Sequence, residues 1–237
     1  MTALLSLAEI SCGYGANQVL RGVSLDVTEG SLTAIIGPNG HGKTTLLRAI
    51  SGLVPLNAGT IHFAGQTLAR KRPDEIVAAG IVHVPQGDLL FPEMTVLDNL
   101  QMGAYLPDAS KQMRSRLDEV FALLPKLKER RNQVASTLSG GERRMVGIGR
   151  GLMAGGRLLM LDEPSLGLAP ILIDQIYAVI WELTRTGRTI LVVEESAARI
   201  ADKAAQVALL DNGQFAWTGQ GAELMARPKI LETYLGA

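Results

Sequence analysis

The chain opens on short runs with strand character. Residues 4–10 are rich in strand formers, residues 23–27 alternate apolar and polar positions, and residues 32–36 are almost wholly apolar, as a strand buried on both faces would be. Three further apolar runs, residues 81–84, 158–161 and 189–193, each stop at polar residues. That arrangement predicts a parallel sheet with its chemistry at the strand ends. Further on, residues 207–210 and 214–217 flank Asn212 and Gly213, a strong hairpin-turn signal. The middle has a different period: residues 95–102, 111–124 and 141–153 space their apolar positions as helices do and hold few strand formers. The pattern predicts a helical lobe over residues 87–157 inserted into a sheet domain, with Gly155 and Gly156 returning the chain to the sheet. No internal repeat and no low-complexity tract interrupts this α/β plan.

Composition changes the picture in three respects. With 237 residues, 47% of them hydrophobic, the chain can bury the core of one large domain. Its 23 Lys plus Arg balance 23 Asp plus Glu, so no net field draws it towards nucleic acid or anionic lipid, and any phosphate chemistry must be local. Cys12 is the single cysteine, which excludes an internal disulfide, fits a reducing compartment and reads as a buried apolar residue. Residues 1–15 lack a basic stretch followed by a signal-length apolar run, and no long uncharged apolar run occurs. The expectation is a soluble chain that serves a membrane, if at all, from the cytoplasmic face through a separate embedded partner.

Gly37-Pro38-Asn39-Gly40-His41-Gly42-Lys43-Thr44 matches G-x-x-x-x-G-K-[ST], directly after an apolar strand and before a helical run starting near Thr45. The glycines Gly37, Gly40 and Gly42 let the backbone turn its N–H groups inward around phosphates, and the following helix N-terminus adds positive potential. Lys43 would then reach the β and γ phosphates, with the Thr44 hydroxyl on Mg²⁺. A glycine-rich turn with an accidental lysine is the competing reading, and the order of strand, loop and helix argues against it. His41, between glycines, is expected to face outward, and His62 and His83, in strand-like runs, to be packed or surface histidines rather than metal ligands. Asp162 and Glu163 end another apolar strand, where one carboxylate can support Mg²⁺ and the other polarise a water for attack on a γ-phosphate.

Leu138-Ser139-Gly140-Gly141-Glu142 reads by itself as an S-x-x-E capping box opening a helix. With the loop and the acidic strand end it also resembles the LSGGQ signature of ABC transporter ATP-binding subunits, with Glu in the fifth place; the resemblance spans essentially the whole chain. It implies one ABC-type P-loop NTPase domain over residues 1–237: a RecA-like parallel-sheet core with an N-terminal antiparallel β subdomain, and an inserted helical subdomain. Residues 1–86 and 158–237 would form the nucleotide-binding lobe. The resemblance further implies that Asn39 and Thr45 join the nucleotide loop, that Tyr14 stacks on adenine, and that Gln86 senses Mg²⁺ and the attacking water. Ser139, Gly140, Gly141 and Glu142 would complete the ATP site of a second, head-to-tail subunit. The implied partners are that second ATP-binding subunit, integral membrane permease subunits docking near residues 91–96, and, indirectly, a periplasmic or extracellular solute-binding protein; no nucleic acid is implied. The place would be peripheral, on the inner face of the cell membrane.

Residues 162–170, residues 91–96 with Asn99-Leu100, and Thr233-Tyr234-Leu235-Gly236 are similar to the smaller ATP-binding subunit of branched-chain amino acid uptake. Amide or urea uptake and lipopolysaccharide export use close relatives. Two positions depart from the wider family. Ala169 replaces an Asp, and Glu195 stands at the position of the switch histidine, where the subfamily usually has Gln. A carboxylate aimed at a triphosphate is repulsive, so Glu195 must be protonated, paired, screened or turned away. It could instead simply precede a helix capped by Ser196. The substitution suggests slow hydrolysis, or a non-hydrolysing regulatory role, unless a different subunit supplies the histidine.

Overall fold

A computed structural model describes residues 3–87 and 89–227; Thr233-Tyr234-Leu235-Gly236 therefore lies outside the described residues. The first half of the chain runs β1 (Ala3–Tyr14), β2 (Asn17–Thr28), β3 (Leu32–Ile36), α1 (Lys43–Ile50), β4 (Leu56–Phe63), β5 (Gln66–Thr67), α2 (Pro73–Ala79) and β6 (Ile81–Val84). Five helices follow: α3 (Val96–Met102), α4 (Pro107–Lys111), α5 (Met113–Leu123), α6 (Pro125–Glu129) and α7 (Gly140–Ala154). The rest is β7 (Leu158–Asp162), α8 (Pro170–Arg185), β8 (Thr189–Glu194), β9 (Gln206–Asp211), β10 (Gln214–Gly219) and α9 (Gly221–Met225).

Two sheets result. The smaller is antiparallel, in the order β2-β1-β4-β5, and the larger runs β10-β9-β3-β8-β7-β6. From β9 to β6 the larger sheet is parallel, and β10 returns antiparallel through a turn with positive φ at Asn212 and Gly213, as a type I′ hairpin requires. All five residues of β3 and all five of β7 are buried, which explains why both read as nearly unbroken apolar runs.

Alternation along these strands divides the core into two layers. Ile35, Leu158, Met160, Leu191, Val193, Ala208 and Leu210 point to one face, where they join α1 and the antiparallel sheet, with Cys12 buried among them. Their neighbours Leu159, Leu161, Ile190, Val192, Val207 and Leu209 point to the other, where α3, α5, α7 and α8 cover the sheet. A one-residue slip in any central strand would exchange the two sets, so burial on both sides fixes the register.

The sequence reading missed β4, β5, α2, α6, α8 and α9 as elements. The run 111–124 divides, because Gln112, at φ −103 and ψ 9, leaves helical geometry between α4 and α5. The alternative helix behind Glu195 does not form: the Ser196 hydroxyl accepts from the Ala198 N–H at 3.3 Å, making a local turn that competes with helix, and a single 3₁₀ turn at Ala201–Lys203 precedes β9.

Candidate functional site

The chemistry-bearing residues converge because they leave the same edge of neighbouring parallel strands. Gly37 follows β3, Asp162 ends β7 with Glu163 after it, Gln86 follows β6, and Glu194 ends β8. In an open α/β sheet, that C-terminal edge is where ligands bind. A cleft of about 370 Å³ lies there, lined by Asn39, Gly40, Gly42, Lys43, Thr44, Thr45, Gln86 and Glu163, with Val19 of β2 as a wall.

The loop needs glycine for steric reasons at two points. Gly42 has φ +109 and precedes α1 without a side-chain cap, and a Cβ there would sit 2.8 Å from the Leu20 side chain. A Cβ on Gly37 would collide with the Leu210 carbonyl. The first-turn N–H groups of α1 are thus left for a ligand.

Lys43 is buried and folds back on its own loop, donating to the carbonyls of Gly37 at 2.7 Å and Pro38 at 3.1 Å. Its ammonium pairs with Glu163 Oε1 at 3.0 Å, and Gln86 Nε2 donates to Glu163 Oε2 at 3.1 Å. Glu163 itself has φ +45, a left-handed conformation that costs a non-glycine residue about 1–3 kcal/mol and marks functional positions. Thr44 Oγ1 donates to Asp162 Oδ1 at 3.1 Å, while Asp162 Oδ2 is buried with no hydrogen-bond partner. Burial pushes the Asp162 pKa up; the Thr44 bond counters it, and Glu163 adds to it. An orphaned carboxylate oxygen beside a threonine hydroxyl is a donor set suited to a hard divalent cation. Elsewhere, among the described residues, no cluster of three His, Cys, Asp or Glu forms a metal site.

Ser139 and its neighbours are not in this cleft. Ser139, Gly141 and Glu142 border a separate cavity of about 480 Å³ facing α8. Ser139 caps α7 in a complete capping box: its hydroxyl accepts the Glu142 N–H at 3.4 Å and donates to Glu142 Oε2 at 2.8 Å, and the Ser139 N–H donates to Oε2 at 2.9 Å. Glu142 Oε1 also pairs with Arg130 at 2.8 Å. Desolvation works against its charge, but the bonds from Ser139 and the charges of Arg130 and Lys126 hold its pKa below the usual value. A Cβ on Gly141 would sit 2.6 Å from the end of the Leu172 side chain, which would have to shift.

Residues 20–166 match the family model described as ABC transporter. The chain belongs to that family. It is 41% identical to the high-affinity branched-chain amino acid transport ATP-binding protein BraG of Pseudomonas aeruginosa, over 98% of this chain and all of that one. It is 33% identical to the probable branched-chain amino acid transport ATP-binding protein LivF of Archaeoglobus fulgidus, over 98% and 99% of the two chains. In structure it resembles the ADP conformation of MJ1267, an ATP-binding cassette of an ABC transporter, with TM-score 0.88, 32% identity and full coverage of both chains.

In this ABC ATPase the remaining positions fall unevenly. Tyr14 is exposed, its hydroxyl accepting from Arg48 at 3.3 Å, and it stands outside the lining of the cleft. Glu195 turns to the loop: Asn39 Nδ2 donates to its Oε2 at 3.1 Å, and the far side of the same amide, Asn39 Oδ1, lies 3.5 Å from Lys43 Nζ. His41 faces away from the cleft, with Nδ1 2.9 Å from Asp211, and its carbonyl accepts from Gly213, tying the loop to the β9–β10 turn. His83 packs against Ser51 at the end of α1, and His62 sits in β4 opposite Ser6 and Thr67. Sequence reasoning missed Val19 and the buried Glu194. The strand 189–193 was predicted to end one residue early; a carboxylate directly after so apolar a run was the available signal for Glu194.

Proposed function

We propose that this ABC ATPase powers uptake of branched-chain or other hydrophobic amino acids through separate membrane permeases. It would work from the inner face of the cell membrane, as one half of a head-to-tail pair of ATP-binding subunits, with a solute-binding protein delivering cargo on the other side. Residues 1–86 and 158–237 act as the nucleotide lobe and residues 87–157 as the helical lobe. Gly37, Asn39, Gly40, Gly42, Lys43, Thr44 and Thr45 hold the ATP phosphates, and Tyr14 takes the adenine. Glu163 orients the attacking water with help from Gln86. Ser139, Gly140, Gly141 and Glu142 present the N-terminus of α7 to the partner's ATP, where a helix end favours negative charge. Thr44, Asp162 and Gln86 would hold Mg²⁺, which when bound neutralises charge on the β and γ phosphates.

The observation that carries this reading is the cleft in which Lys43 grips Glu163 while Gln86 and the Thr44–Asp162 pair stand beside it. The free chain thus already aligns a cation, a carboxylate and an orphaned Asp oxygen where a triphosphate would bind. Cargo class is supported by the amino-acid transport names of the relatives. Permease docking is supported by a groove of about 530 Å³ beside Gln86, where Leu89, Phe91, Met102 and Tyr105 are exposed. No helix among the described residues is long and apolar enough to cross a membrane, consistent with separate permeases.

Glu163→Gln is expected to abolish phosphate release while trapping ATP in a stable dimer, measured by phosphate assay and size-exclusion chromatography. Undiminished release would overturn the assignment. Uptake of labelled leucine into vesicles holding the full transporter tests the cargo, and transport of amides alone would redirect it. Glu195 favours a second reading, a slow subunit that depends on a different partner: a carboxylate tethered to Asn39 stands at the rim of the phosphate cleft. Glu195→His should then raise turnover of the purified homodimer several-fold, and equal turnover would sink the idea.

A further inference from the structure

Glu194 is buried at the end of β8 and gathers three neutral donors. The Tyr177 hydroxyl donates to Oε1 at 2.8 Å, the Ser165 N–H to Oε1 at 3.2 Å, and the Ser165 hydroxyl to Oε2 at 2.9 Å. Its backbone carbonyl accepts the Gly37 N–H at 3.2 Å, so one residue touches both the start of the phosphate loop and the turn behind Glu163. Burial pushes the Glu194 pKa up, and the Glu163 charge adds to that. An apolar residue would fill the site without desolvating a carboxylate, as the neighbours Val192 and Val193 do. The carboxylate must therefore be there for what it holds.

It holds the turn that bends Glu163. The Glu163 N–H donates to the Val193 carbonyl at 3.0 Å, its left-handed backbone sends its carbonyl to the Leu166 N–H at 3.2 Å, and Ser165 lies inside that bend. We infer that Glu194 is a positioning residue for hydrolysis: by gripping Ser165 through both carboxylate oxygens it fixes the turn after β7 and so the direction of the Glu163 carboxylate. The inference rests on Glu163 orienting the attacking water.

Tyr177, on α8, shares the carboxylate and its hydroxyl also lies beside the Ser165 side chain, but it makes neither of the two Ser165–Glu194 bonds, so its removal separates those bonds from the packing around them. Glu194→Ala and Ser165→Ala should each lower kcat about tenfold or more with the KM for ATP within about twofold, since small misplacements of a reacting group are costly. Glu194→Gln should recover most of that loss, because its amide oxygen can accept from Tyr177 and the Ser165 N–H while its NH₂ donates to the Ser165 hydroxyl. Tyr177→Phe should lower the melting temperature and keep kcat within about twofold, both Ser165 bonds remaining. Ser165→Ala carries the kcat test if Glu194→Ala fails to fold. The inference is overturned if kcat survives Ser165→Ala, if the loss falls on KM, if Glu194→Gln is as impaired as Glu194→Ala, or if Tyr177→Phe loses kcat as they do. Glu163→Gln assayed in parallel keeps the two readings apart: retained turnover there overturns the role of Glu163, whereas a dead Glu163→Gln beside a fully active Ser165→Ala removes Glu194 alone.

Discussion

Helices α1 and α7 both begin with a glycine-rich segment, and in the proposed mechanism both N-termini serve ATP phosphates, yet they begin in opposite ways. The start of α1 has a left-handed glycine as its cap and no side chain bonded to its first N–H groups; its nearby cation, Lys43, is occupied by Glu163 and by loop carbonyls. The start of α7 is self-contained, with Ser139 and Glu142 bonding each other's backbone and Arg130 holding Glu142 from outside. An end left uncapped keeps its N–H groups free for a ligand. An end already capped is held by its own first turn, as the proposed contact with a phosphate on another subunit would need.

The sharpest way to break this contrast is Lys43→Ala. It removes the cation from a buried pair and strands Glu163, which should cost about 3–5 kcal/mol of stability in the free chain. It should also weaken ATP binding about ten- to a hundredfold through lost charge-assisted bonds. Thermal denaturation and fluorescent-nucleotide titration check both. An unchanged melting temperature would mean that the pair contributes nothing before nucleotide arrives.

The two helices also differ at their far ends. α7 stops at Gly155 in a left-handed cap, whereas α1 stops at Ser51, whose hydroxyl donates to the Leu47 carbonyl at 2.8 Å and lies 3.1 Å from His83 Nδ1. With that serine proton committed, His83 must donate from Nδ1, which leaves Nε2 buried without a partner. Burial, helped by the Arg48 charge, lowers the His83 pKa to about 4. A histidine whose folded pKa lies below its unfolded value lends stability above about pH 6.5 and loses it as pH falls towards about 4. The loss should reach about 3 kcal/mol. His83→Gln should flatten that part of the pH–stability curve in urea titrations, and an unchanged slope would assign the acid sensitivity elsewhere.

How much of this was legible depended on whether the signal was local. β3, β6, β7 and β8 announced themselves because strands buried on both faces are mostly apolar, and α7 because a capping box is written in four consecutive residues. α8 escaped although Pro170 marks its start, because Ile171, Ile173, Ile176, Tyr177, Val179, Ile180 and Trp181 are strand formers set within a helical period. The phosphate loop was readable as a string, but the partners of its residues were not. That Lys43 meets Glu163, that Asn39 meets Glu195 and that Glu194 meets Ser165 depends on strand order, which places β8 between β3 and β7. Nothing in the spacing of those residues encodes that order.

Ser139→Ala is the smaller cut on the α7 side. Loss of an N-cap costs about 1 kcal/mol, a shift of about 2–4 °C in melting temperature for a chain of this size. Nucleotide affinity of the isolated chain should stay unchanged, because Ser139 borders a different cavity from the ATP cleft, while turnover of the dimer should fall. Weakened binding by the isolated chain would mean that α7 acts in cis, and the contrast between the two helix ends would collapse.

The smallest expected effect is the most specific. Glu142→Gln keeps an acceptor for the Ser139 N–H and hydroxyl but removes the ion pair with Arg130. Both partners reach solvent, so the pair is worth less than about 0.5 kcal/mol at neutral pH. Because the Glu142 pKa is depressed in the folded chain, its contribution is present above the unfolded value of 4.5 and vanishes as pH falls through the folded one. Glu142→Gln should therefore differ from the parent at pH 7 and converge with it in acid, on paired urea curves. A difference that persists in acid would show that the side chain acts through the capping bonds and not its charge, and that α7 is held by its own first turn without help from Arg130.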